Sequence, residues 1–112
     1  MAETGGWQRV AALSDIKDGE AFAVELGGEP IALYRINGQV FAIGDVCTHE
    51  FALLSQGFVE DCAIECPLHQ AKFDIRTGRC LAAPATEDVP AYAVRIESED
   101  VFVRASDGLV MR

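Results

Sequence analysis

The chain has 112 residues, half of them hydrophobic, and its 9 basic and 18 acidic residues leave a formal charge of −9. This length allows one domain with one modest core, and the apolar content excludes a disordered chain. The acidic balance argues against a nucleic-acid partner, because phosphates need a basic face, and is consistent either with cationic protein partners met by steered encounters or with a charge that only aids solubility.

No apolar run approaches the roughly 20 residues that a membrane-spanning helix needs. The opening Met1-Ala2-Glu3-Thr4-Gly5-Gly6 is polar, with neither a basic start nor an apolar segment, so a cytoplasmic protein with reduced thiols is expected.

In chain order, Trp7 to Ala11 reads as a first strand, and Leu13 to Glu20 follows as a polar connection in which Ser14 could cap one helical turn. Phe22 to Leu26 is a second strand, Gly27-Gly28-Glu29-Pro30 a turn, and Ile31 to Ile36 a third strand. Asn37-Gly38 is the strongest hairpin signal in the chain, since both residues accept positive φ. Gln39 to Ile43 returns as a fourth strand and delivers the chain to Asp45-Val46-Cys47. Phe51 to Ser55 is apolar and irregular, with room for one helical turn. Phe58-Val59 and Ala63 to Glu65 are short strands that lead to Cys66. Lys72 to Ile75 leaves as a strand, Arg76-Thr77-Gly78 turns it, and Arg79 to Leu81 pairs back. After a loop at Ala82 to Ala85, Ala91 to Ile96 and Val101 to Arg104 close the domain as a hairpin about Ser98 to Asp100. Many short strands without a helical period predict an all-β sandwich or partly open barrel. The segment from about Asp45 to Ile75 interrupts that pattern as an insertion.

The chemistry concentrates in the insertion. Cys47-Thr48-His49 is followed, sixteen residues later, by Cys66-Pro67-Leu68-His69, and these hold the only two histidines and half of the four cysteines. Thiolate and imidazole together select zinc or an iron–sulfur centre over magnesium or calcium. Zinc fingers keep like ligands close together, as Cys-x-x-Cys and His-x(3–5)-His. Each motif here is instead mixed. Two loops that each give one sulfur and one nitrogen can hold a two-iron cluster from both sides, with both thiolates on one iron and both imidazoles on the other. A set of buried thiols with structural histidines, or a four-ligand zinc site in an interaction module, are the competing readings. Cys62 and Cys80 lie in strands and read as small buried hydrophobes. Asp45, Glu50 and Asp74 read as solvated flanks. There is no third histidine for a mononuclear iron site, no phosphate loop and no nucleotide fingerprint, so no catalytic residue is expected.

From Cys47 to Pro84 the sequence resembles the cluster-binding part of Rieske proteins, with Phe73-Asp74 after the second motif and Thr77-Gly78 at the following turn. Length and strand pattern resemble the small Rieske-type ferredoxins of bacterial aromatic-ring-hydroxylating dioxygenases. The resemblance implies an antiparallel β-sandwich base (residues 1–44 and 76–112) carrying a small cluster-binding subdomain (about 45–75). It implies one [2Fe–2S] cluster, held by Cys47 and Cys66 on the inner iron and by His49 and His69 on the outer one. Phe51, Leu68 and Pro84 would shield the histidine end and meet partners.

High-potential Rieske proteins carry two further cysteines that form a disulfide, and a serine and a tyrosine that donate to the cluster and its cysteine ligand. The matching positions here are Ala52 and Leu68, and Ala71 and Phe73, so neither device can form. Gln70 stands where the family often has glycine. Without those hydrogen bonds the potential belongs near the bottom of the range of about −150 to +300 mV.

The function so implied is one-electron carriage by a monomer, from an NADH-dependent flavoprotein reductase to a terminal oxygenase that hydroxylates aromatic compounds. A small Rieske subunit held permanently in another oxidoreductase is the alternative.

Overall fold

The computed structural model describes residues 6–47, 52–68, 71–83 and 87–104, and every regular element among them is a strand or a single 3-10 turn. The strands are β1 (Trp7–Ala12), β2 (Ala21–Leu26), β3 (Glu29–Ile36), β4 (Gln39–Gly44), β5 (Phe58–Glu60), β6 (Ala63–Glu65), β7 (Lys72–Asp74), β8 (Cys80–Ala82), β9 (Ala91–Glu97) and β10 (Asp100–Arg104). They form a six-stranded sheet in the order β1-β10-β9-β4-β3-β2 and a four-stranded sheet in the order β5-β6-β7-β8. All the strand pairings are antiparallel. The all-β expectation holds.

Local chemistry explains most of the turns. Asn37 and Gly38 take φ of 52° and 84°, the pair of positive values that a two-residue hairpin loop needs, and Ile36 pairs with Gln39 across it. The turn after β2 differs from the sequence reading. Gly27 and Gly28 make it alone, and Glu29 and Pro30 already pair with Leu26 and Glu25. Pro30 lacks an N–H, but its carbonyl still accepts from Asp45 N–H at 3.1 Å, which is all that this strand position asks of it. The turn after β1 covers Leu13–Asp15 with Ala12 at its N-cap, two residues earlier than Ser14 could cap. Asp15 satisfies its opening amide instead, accepting from Ala12 N–H at 3.0 Å.

β3 is buried on both faces, and its side chains alternate between two cores. Ile31 and Leu33 join Ala11, Leu26, Val101 and Val103 inside the larger sheet. Ala32 and Tyr34 face the other way, towards Ile64, Phe73 and Ile75 from the segment that follows β4. Those three side chains are wholly buried, and each contributes about 1.5–3 kcal/mol by leaving water. The smaller sheet is therefore seated on the larger one through a shared apolar layer, and Cys47 and Cys66 lie in that layer.

Candidate metal centre

Two loops lie at the edge of the shared layer, and they are closed in the same way. Cys47 N–H donates to the Ala52 carbonyl and Cys66 N–H donates to the Ala71 carbonyl, each at 2.9 Å. Each cysteine thus opens a loop whose ends are tied five residues apart. Both side chains are buried, at 3% and 1% exposure. All four cysteines of the chain are thiols rather than disulfides.

The two loops reach this shape by different routes. The second is the closed end of the β6–β7 hairpin, where Glu65 faces Lys72 and the strand ladder continues straight into the Cys66–Ala71 bond. The first has only an isolated bridge, Val46 to Leu53, behind the Cys47–Ala52 bond. Asp45 supplements that bridge. Its carboxylate accepts from Ser55 N–H at 2.6 Å and from Ser55 Oγ–H at 2.8 Å. Its backbone carbonyl accepts from Leu54 N–H at 2.7 Å.

Asp45 corrects the sequence reading of a solvated flank, since it is 1% exposed. Burial pushes its carboxyl above the usual carboxylate range, and the two Ser55 hydrogen bonds pull it back. The signal available in the sequence was its setting, between the apolar Phe41-Ala42-Ile43 and a thiol. Asp74 is also mostly covered; its hydrogen bonds from the Arg76 side chain and amide hold its carboxyl below the usual range against the opposing effect of burial. Tyr34 is wholly buried in the same layer, and burial, with Asp45 adding, drives its phenol far above its ordinary value.

Of the other residues singled out in the sequence, Leu68 is described and stands 62% exposed at the second loop. It borders, with Pro67, Ala52, Leu53 and Gln56, a depression of about 290 Å³ between the two loops. His49, His69, Phe51 and Pro84 lie outside the described residues, as do Glu50 and Gln70. Ala52, Ala71 and Phe73 are buried and present no thiol or hydroxyl to the layer. Cys62 is half-buried in the turn between β5 and β6, not in a strand as the sequence suggested, whereas Cys80 is half-buried in β8, where its Sγ–H donates to the Ala82 carbonyl at 3.8 Å.

Paired loops that each present a buried thiol, carried on two antiparallel sheets, supply the sulfur half of the ligand set expected of an iron–sulfur centre. Residues 6–93 match the family described as the Rieske [2Fe-2S] domain. The ferredoxin component of the naphthalene 1,2-dioxygenase/salicylate 5-hydroxylase systems of Ralstonia sp is 43% identical over 90% of this chain and 97% of its own length. The ferredoxin of carbazole 1,9a-dioxygenase from Nocardioides aromaticivorans IC177 superposes with a TM-score of 0.86, at 34% identity, over 89% of this chain and 98% of that one. The structure of a complex of reduced oxygenase and oxidised ferredoxin in carbazole 1,9a-dioxygenase contains a chain that matches at a TM-score of 0.83 and 34% identity, over 90% of this chain and 94% of that one.

The chain belongs to the Rieske [2Fe–2S] family. Within it the chain is a ferredoxin, an electron-transfer component rather than the enzyme itself, and its cofactor is a [2Fe–2S] cluster. The residues present fit that group. Two soft, buried sulfurs on neighbouring loops suit one iron, and the sequence carries one histidine in each of the same two loops. Among the described residues, no helix is long and apolar enough to cross a membrane.

Proposed function

We propose that Cys47 and Cys66 ligate the inner iron and His49 and His69 the outer iron, and that the chain relays single electrons within an aromatic-ring-hydroxylating oxygenase system. The donor in this reading is an NADH-dependent flavoprotein reductase and the acceptor a terminal Rieske non-haem iron oxygenase. The observation that carries the ligand assignment is the matched pair of closures, Cys47 to Ala52 and Cys66 to Ala71, with both thiols buried in one layer. The acceptor is supported by the relatives, whose names place them in dioxygenase systems.

When bound, a cluster of this kind takes up and releases one electron without forming a bond to substrate. The chain's own residues do the rest. The buried layer of Ile64, Phe73 and Ile75 keeps water from the cysteine side. Leu68, exposed beside the second loop, offers an apolar contact to partners, a role to which the sequence resemblance also assigns Phe51 and Pro84. The acidic surface steers cationic partners to it. About residues 45–75 form the cluster-binding subdomain, onto whose sheet β8 pairs from the following segment, and residues 1–44 with the rest of 76–112 form its base. The carrier works as a monomer in the cytoplasm, a compartment compatible with its four thiols.

The test is an anaerobic redox titration followed by absorption and electron paramagnetic resonance. A rhombic [2Fe–2S] signal with a potential near the low end of the Rieske range is expected. Loss of that signal in Cys47→Ala, Cys66→Ala, His49→Ala and His69→Ala would establish the four ligands. Retention in any one would remove that residue from the set. Reduction of the protein by NADH through a purified flavoprotein reductase, and its reoxidation by an aromatic-ring oxygenase, would establish the relay.

A further inference from the structure

Asp45 is the one fully buried charged side chain among the described residues. A buried carboxylate costs several kcal/mol unless it is well paired, so its presence calls for a compensating role. All four of its hydrogen-bonding groups are engaged. The amide donates to the Pro30 carbonyl in β3, the carbonyl accepts from Leu54 N–H, and the two carboxylate oxygens accept from Ser55 N–H and Ser55 Oγ–H. One residue thus ties the base sheet to both ends of the first ligand loop, two positions before Cys47. The second loop shows why this is needed. A two-strand ladder fixes it, whereas the first loop closes on a single isolated bridge and on no ladder at all.

We propose that Asp45 and Ser55 are positioning residues for the metal centre: their side-chain clamp takes the place of the missing strand ladder and sets the Cys47 sulfur against the Cys66 sulfur. This rests on the ligand assignment made above. The clamp acts through the path of the loop and touches no iron. Its effect therefore belongs to the symmetry of the centre and to how firmly the iron is held, beyond any effect on folding. Ser55→Ala removes the Oγ–H bond and leaves the N–H bond, so the buried carboxylate loses one of its two donors and the loop loosens while its backbone tie remains. Ser55→Thr keeps the hydroxyl and restores the clamp.

The holoprotein, as purified, provides the test. Three quantities are compared for the parent, Ser55→Ala, Ser55→Thr and Gly38→Ala. They are the spread of g-values of the reduced protein, the rate of iron loss to a chelator, and the thermal midpoint. Gly38 sits in the β3–β4 turn at φ of 84° with open space around it, so its substitution lowers stability by backbone strain alone, remotely from the loops. The expected result is a shifted g-spread and about tenfold faster iron loss in Ser55→Ala, with recovery in Ser55→Thr. Gly38→Ala should lower the midpoint and leave the g-spread unchanged. An unchanged g-spread in Ser55→Ala, or iron loss that follows the thermal midpoint equally in Ser55→Ala and Gly38→Ala, overturns the proposal. A cluster retained in Cys47→Ala overturns the ligand assignment, a result that the Ser55 variants cannot produce.

Discussion

Gly78 lies so close to Val89 that a methyl group on its Cα would fall on the Val89 carbonyl oxygen, while Val89 N–H donates to the Gly78 carbonyl at 2.8 Å. Gly78 also has φ of 79°, which costs a side-chain-bearing residue about 1–2 kcal/mol. Three glycines separate these two effects. Gly38 has φ of 84° and open space around it, and Gly57 has an ordinary φ of −90° but abuts the Glu65 carbonyl. Gly38→Ala is expected to cost about 1 kcal/mol by strain alone. Gly57→Ala and Gly78→Ala should each cost more, about 3 kcal/mol, because backbone must move. Denaturant midpoints of the three variants check this order.

Phe73 is wholly buried in the layer that holds Cys47 and Cys66. Phe73→Tyr adds a hydroxyl that can donate to sulfur, which favours the reduced, more negative state. One such bond of about 1.5 kcal/mol corresponds to a potential raised by roughly 60 mV, at 59 mV per tenfold for one electron. A redox titration of the variant measures it, and a potential that stays put would mean the hydroxyl has found another acceptor.

Asp74 supplies the acid dependence. Its carboxyl is held below its unfolded value, chiefly by the Arg76 side chain, with the Arg76 amide adding. A depressed carboxyl pKa stabilises the fold above the unfolded value of about 3.9, and that contribution is lost as pH falls through the lower, folded value. Asp74→Asn should therefore be less stable than the parent at pH 7, by about 1 kcal/mol. The gap should close as the pH drops below about 4. Thermal midpoints across pH 3–7 would show the two curves converging; parallel curves would rule out the Asp74 linkage.

Leu68 exposes most of its side chain beside the second loop. Leu68→Glu is expected to leave folding stability within about 0.5 kcal/mol of the parent. Its cost should appear in oxygenase turnover driven through the ferredoxin, as an affinity weaker by about 1–2 kcal/mol. Titrating the ferredoxin at fixed oxygenase reads this directly.

The four cysteines should divide cleanly. Cys62→Ala and Cys80→Ala leave the two loops intact and should retain full iron, at a cost of about 1 kcal/mol for lost packing. Iron and sulfide analysis of purified variants separates them from Cys47→Ala and Cys66→Ala, which should lose the cluster.

The parts of this protein legible in the sequence were those in which the deciding chemistry is local. Asn37-Gly38 carries its own turn, and Cys-x-His with Cys-x-x-His carries its own ligand logic. Pro30 was misread because the two preceding glycines already complete the turn, and a proline's missing amide matters only if a partner needs it. Asp45 was misread for a different reason. Whether a carboxylate is buried depends on what reaches it, and here the partner is Ser55, ten residues away on the far side of a loop. The pairings of β1 with β10 and of β4 with β9 join distant segments, and no short-range signal specifies them.

β3 gives alternate side chains to two different interiors, and this has a bearing on engineering. The segment that carries Cys47 and Cys66 is not a portable cassette. Its underside is shaped by Ala32, Tyr34 and Ile43, which belong to the strands beneath it. Grafted onto another Rieske base, it would meet a floor cut for a different insert. A one-residue slip in β3 would exchange the two sets of side chains entirely. Chimeras between such carriers should keep their clusters only when these three floor residues travel with the loops, so the inheritable unit is the pair of loops together with the strands on which they rest.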